Sequence, residues 1–162
     1  MATAAPTLDK SAGFMLRWYV LFITMVIYTL NIADRYVMST VLEQIKRELH
    51  LTDGGVNTLT GVSLGLFYVL MGLPLSWIAD RFSRRNLLAI SIATWSAMTA
   101  LCGMSRGYLD LLLPRIGVGV GEAGGTPACN AIVSDYFPVN LRPMAMTIFA
   151  LGAPIGAYIG AD

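Results

Sequence analysis

An all-α integral membrane protein is the fold class this sequence predicts, and three observations predict it. Of its 162 residues, 56% are hydrophobic and 13% charged, with a mean hydropathy of +0.63. A soluble domain of this size could not bury that much apolar surface. The apolar residues also fall in runs of about 20, the length that carries an α-helix across a hydrocarbon core of about 30 Å. Finally, the runs Val56–Ala79 and Leu87–Met104 are joined by the short basic stretch Ser76–Leu88, SWIADRFSRRNLL, which makes them antiparallel neighbours. Cytoplasmic loops carry the Lys/Arg excess, so Arg81, Arg84 and Arg85 place this hairpin, and with it every other segment.

Taken in order, residues 1–13 read as a cytoplasmic tail and 14–162 as transmembrane. The first span covers about 17–41; no small-residue cleavage site follows it, so it is not a signal peptide. Residues 42–51 place Leu42, Ile45 and Leu49 at helical spacing among Glu43, Gln44, Lys46, Arg47 and Glu48, which predicts a short amphipathic helix on the outer interface. Thr52-Asp53-Gly54-Gly55 breaks it, and Thr52 or Asp53 caps the second span, about 56–79, with Pro74 near its inner end. The remaining spans are about 86–104, 108–136 and 144–161, with FPVNLRP at 137–143 as a second inner loop and Pro154 as a bend. Basic residues agree with this orientation. Lys10, Arg17, Arg81, Arg84, Arg85 and Arg142 fall inside, while Lys46, Arg47 and Arg106 fall outside.

Several functions are disfavoured. The net charge of +1 is scattered over helix ends, so nucleic acid is not an expected partner. His50 is the sole histidine and lies in a polar loop, which leaves no histidine-based catalytic or metal centre. Cys102 and Cys129 sit in apolar runs without metal or redox spacing and read as packing residues. Gly119, Gly121 and Gly124 fit G-x-G-x-x-G, but no strand precedes them and no βαβ unit surrounds them, so the dinucleotide reading is a decoy. The glycines between 117 and 125, and Gly152, Gly156 and Gly160, suit close helix packing instead. Neither an enzyme nor a bound cofactor is expected.

The chemistry lies in charges inside the spans. Asp34 and Arg35 sit in the outer half of the first span, Arg115 and Glu122 in the fourth. Each costs about 2.5–3.5 kcal/mol at mid-membrane on insertion scales, so four need compensation or a purpose. Arg115 and Glu122 are two turns apart and share a face; Asn31, Asp34 and Arg35 share another. The two faces are expected to meet in one polar cavity. Static ion pairs between helices would account for the charges. The functional alternative has Asp34 and Glu122 exchanging protons while Arg35, Arg115 and Asn31 meet a passing solute.

These residues resemble the N-terminal part of a major facilitator superfamily transporter. The superfamily's loop between its second and third helices reads roughly G-x-L-A-D-R-x-G-R-R; here Ser76 and Ser83 replace both glycines, while Asp80, Arg81, Arg84 and Arg85 stand in place. A second motif, R-x-x-x-G-x-G-E-A-G, is met by Arg115, Gly119, Gly121, Glu122, Ala123 and Gly124, and a third, D-x-F-P-x-x-x-R, by Asp135, Phe137, Pro138 and Arg142. With Asp34-Arg35-Tyr36 added, the set is most similar to the Spinster-like branch, whose eukaryotic members export sphingosine phosphate and lysophospholipids. The anion:cation symporters, which carry hexuronates and aromatic acids, are the runner-up.

The resemblance implies about five of twelve helices, an incomplete N-terminal half that pairs with the remaining helices of the same transporter. It also implies a proton-coupled solute carrier with Asp80 and its arginines latching an inner gate. The setting it suggests is a bacterial inner membrane with the N-terminus cytoplasmic. As written, the chain is expected not to transport alone, and a non-transporting membrane partner built from half a transporter is the rival reading.

Overall fold

The computed structural model describes residues 12–48, 50–81 and 83–161; most of the 1–13 tail and the Asp80 side chain lie outside that description. Helix α1 runs unbroken from Ala12 to Glu48, 37 residues without an internal Gly or Pro after Gly13. At 1.5 Å per residue that is about 55 Å, well beyond a hydrocarbon core. The separate interfacial helix expected at 42–51 is therefore corrected: residues 42–48 are the last turns of α1. Nothing between Val41 and Glu48 breaks a helix. Leu42 and Ile45 are also not laid on a lipid surface; they pack around Met38, Leu59 and Leu111, with Leu51, Tyr108 and Leu112 beside them.

The stop comes at His50, the one described non-glycine residue at positive φ, 49°. Its N–H reaches the Arg47 carbonyl at 3.5 Å and that of Leu51 the Lys46 carbonyl at 3.0 Å, the pattern of a Schellman turn. Thr52 then caps the next helix, its Oγ1 accepting from the Gly55 N–H at 3.3 Å. Lys46 pairs with Asp53 across this turn. The hydrogen-bonded ammonium holds the exposed Asp53 carboxyl below its usual range. The tie is thus intact above the ordinary aspartate pKa of about 4 and is lost as pH falls through the lowered value.

The second span is jointed. Beginning at about Val56, it takes in the end of α2 (Asp53–Asn57), a π turn (Thr58–Val62) and α3 (Ser63–Arg81), with Pro74 inside α3. Helix α4 (Arg84–Gly103) and helix α5 (Tyr108–Tyr136) follow, and α6 (Arg142–Ala150) and α7 (Gly152–Ala161) make the last rod, slipping register at Leu151. That slip lies three residues before Pro154, where a proline ring crowds the carbonyl four residues back. Helices α1, α4 and the α6–α7 rod are long and apolar enough to cross a membrane. α3 contributes the shorter apolar stretch Gly65–Ile78, and α5 carries Asp110, Arg115, Glu122 and Asp135 along its 29 residues.

Helix α5 is the centre, packed by α3, α4 and α1, while α7 lies along α1. One half of the core joins Leu21, Leu87, Leu88, Cys129, Val133, Phe137 and Phe149. Tyr28 stacks on Phe149 at 4.7 Å, and Trp18 meets Phe137 edge-on at 6.0 Å. Two glycine seams set the helix spacing. A Cβ at Gly121 would lie 2.7 Å from the Trp95 backbone nitrogen of α4, and one at Gly156 would strike the Thr29 carbonyl of α1. Backbone cannot yield as a side chain can, so Gly121→Ala should cost about 1–3 kcal/mol. Gly125→Ala, whose Cβ meets nothing within 4 Å, should stay within about 0.5 kcal/mol. Thermal melts of the two purified variants check the contrast.

Candidate functional site

The four intramembrane charges do meet, and they pair crosswise between two helices. Arg35 of α1 puts both Nε and Nη2 on the Glu122 Oε2 of α5, at 2.8 and 2.7 Å. In return, Arg115 of α5 faces Asp34 of α1, Nη1 to Oδ2 at 3.6 Å. The seven-residue spacing of Arg115 and Glu122 and the adjacency of Asp34 and Arg35 are what permit this double crossing.

The two pairs differ in quality. Arg35–Glu122 is a charge-assisted contact with two donors on one oxygen, and the Glu122 side chain is fully buried. Arg35 is further held by the Tyr68 ring of α3, 4.8 Å from its guanidinium carbon. The Glu122 Oε1 atom is buried with no partner. Arg115–Asp34 is longer than a hydrogen bond, and Asp34 Oδ2 and Arg115 Nε are both buried and unpartnered. Beside Asp34 opens a cleft of about 550 Å³ between α1 and α4, lined by Leu30, Val37, Trp95, Ser96 and Thr99 among others. A charged set with open valences beside a cleft can exchange a proton or take up an ionic group; a saturated structural network offers neither.

Asn31 stands apart. It is buried and lines a small pocket of about 10 Å³ with Ser91, Trp95 and Thr126, whereas Asp34 lines the larger cleft. Tyr68 and Thr99 belong to the site and are missed by charge-based reading of the sequence. An aromatic or hydroxyl residue in an apolar run signals nothing until its helix is docked.

The residues around the turns that follow α3 and α5 form a second cluster. Arg84, at the start of α4, pairs with Asp135 near the end of α5 and donates to the Ala131 carbonyl at 3.3 Å. Arg81 lies over the Trp77 ring at 4.2 Å, and Arg142 Nε donates to the Phe137 carbonyl at 3.0 Å. Arg85 is exposed. The side chain of Asp80, and with it the expected latch to the arginines, lies outside the described residues.

The described residues thus form a helical bundle whose first and fourth spans are joined by crossed ion pairs, with a basic hairpin between the second and third. The chain belongs to the Major Facilitator Superfamily, whose sequence profile matches residues 24–161. It is 40% identical to a bacterial homologue of the human lysosomal transporter Spinster, solved inward-facing and occupied, with a TM-score of 0.85 over 89% of this chain and 31% of that one. Sphingosine-1-phosphate transporter SPNS2 of Danio rerio is 32% identical over 81% of this chain and 26% of its own length. The probable galactarate/D-glucarate transporter GudP of Bacillus subtilis is 31% identical over 91% of this chain and 33% of its own. The chain thus spans a third or less of the length of these curated relatives.

Breaking one partner of a buried pair strands the other's charge. Arg35→Met should therefore destabilise the protein by about 3–5 kcal/mol, while Arg35→Met combined with Glu122→Gln should recover much of that loss. A double-mutant cycle on thermal or denaturant unfolding measures the coupling.

Proposed function

We propose that this chain forms the N-terminal helices of a proton-coupled secondary transporter that moves a small organic solute, amphipathic and lipid-like or anionic, by alternating access. The crossed pairing of Asp34 and Arg35 with Arg115 and Glu122 is the observation that carries this reading. Four charges inside the spans are held in mutual balance, so changing the protonation of either acid unbalances its arginine. Protonated Glu122 would release Arg35, and protonated Asp34 would release Arg115. A freed guanidinium then has an anionic headgroup or carboxylate as its natural partner. Solute and proton thereby compete for the same arginines, which is the linkage that coupled transport needs.

The relatives support the transporter part of this reading, and their names suggest two solute classes. A sphingosine-1-phosphate transporter and a probable galactarate/D-glucarate transporter match the chain about equally well. We favour the amphipathic anion, because the solved homologue of Spinster shares 40% of residues over most of the chain. The Arg84–Asp135 pair, with Asp80, Arg81 and Arg85 on the same hairpin and Arg142 on the next, would hold the inner side closed in one state. The membrane is a bacterial inner membrane and the N-terminus cytoplasmic, in line with the basic inner loops.

Proteoliposomes of the complete gene product, loaded in parallel with labelled sphingosine-1-phosphate and labelled D-glucarate under an imposed pH gradient, test the proposal. Gradient-driven flux of one solute is expected, lowered about tenfold or more in Asp34→Asn and in Glu122→Gln, equivalent to about 1.4 kcal/mol on the barrier. Flux of either solute that keeps its full pH dependence in both variants removes the proton role. Exclusive flux of D-glucarate moves the assignment to organic-acid symport.

A further inference from the structure

We infer that Thr99 of α4 is a positioning residue for Asp34, its hydroxyl fixing the carboxylate that α1 presents to Arg115. The inference rests on the coupling reading above and brings a third helix into the same site.

The observation is an unspent hydroxyl. Serines and threonines in helices usually turn their hydroxyl back onto a carbonyl three or four residues earlier. Thr24, Thr29, Ser76 and Thr147 do so in this structure, at 2.7–3.0 Å. Thr99 does not: its Oγ1 is buried and bonded to nothing, its own helix included. It faces the Asp34 carboxylate, whose Oδ2 is likewise buried without a hydrogen bond. A hydroxyl can donate and a carboxylate can only accept, so the two are complementary, and a small closure of α4 on α1 joins them. Both residues line the cleft between these helices, so that closure has room to occur.

The charged and thiol groups around Asp34 cannot take this part, and Ser96, the other α4 hydroxyl lining the cleft, is exposed where the Thr99 hydroxyl is buried. Arg115, from α5, stands 3.6 Å away and already opposes the charge; Arg35, on α1 itself, is committed to Glu122 of α5. The Cys102 thiol, one turn beyond Thr99 on α4, is a weak donor and packs in the outer apolar cluster. Thr99 is the neutral group that can hold Asp34 in place without adding charge to a balanced set. It acts through Asp34, and the solute need not touch it.

The complete gene product, purified in detergent and titrated by infrared difference spectroscopy, tests the contact. The Asp34 carboxyl band is the one that vanishes in Asp34→Asn. Thr99→Val, nearly isosteric, should displace that band and its pH midpoint, and Thr99→Ser should restore both. Thr99→Ala gives the same reading if the valine variant does not accumulate. An unmoved band in Thr99→Val or Thr99→Ala overturns the inference, and so does a lowered melting temperature without band displacement, the mark of a packing role alone. Failure of the coupling reading shows elsewhere, as solute flux in Asp34→Asn that keeps its pH dependence.

Discussion

Charge neutrality between α1 and α5 is the constraint on which the rest of the structure depends. An isolated charge inside a spanning helix is costly, and two acids and two bases are tolerable there because each helix contributes one of each sign. Crossed pairing fixes more than energy. It sets the rotation of α1 about its axis, since Asp34 and Arg35 point to neighbouring sectors of one face and each must find its own partner. It also sets the axial register, since Arg115 and Glu122 are two turns apart on α5. The glycine seams answer this requirement from either side. Gly121 brings α4 against the back of α5, and Gly156 brings α7 against the back of α1, leaving the charged faces toward each other.

Much of this can be read without coordinates, for identifiable reasons. The spans follow from apolar runs, the inner hairpin from its arginines, and the four charges from their cost in a membrane. Each is a property of residue type, visible in one dimension. The family follows from motifs that combine such residues at fixed spacing. What escapes the sequence depends on which faces meet. The overhang of α1 reads as a separate interfacial helix because Leu42 and Ile45 show the same periodicity whether they face lipid or the Leu59–Leu111 cluster. Asn31 shares the helical face of Asp34 and Arg35, yet one turn of displacement puts it in a different pocket. Tyr68 and Thr99 are ordinary residues of apolar runs until docking places them beside an arginine and a carboxylate. The joint at Thr58–Val62 has no proline to announce it.

The two ion pairs are unlike in a way that matters for the proposed cycle. Arg35–Glu122 is short, doubly donated and braced by Tyr68, whereas Arg115–Asp34 is long and borders a cleft. The looser pair is the one that solvent and protons reach at smaller cost in rearrangement. The tighter pair keeps α1 and α5 together meanwhile. A mechanism in which Asp34 responds first and Glu122 second follows from that asymmetry.

Helix α1 is the longest described element, and it has no joint. The second span has its π turn and Pro74, α5 has Pro114 and Pro127, and the last rod slips at Leu151. α1 has neither glycine nor proline between Phe14 and Glu48. It therefore behaves as a lever, stiff along its length and unable to absorb displacement by bending. Eleven residues, about 17 Å of rise, separate Arg35 from Lys46, which is tethered to the exposed Asp53. An unbroken helix joins that tether to Arg35, with no glycine or proline between them to take up a displacement.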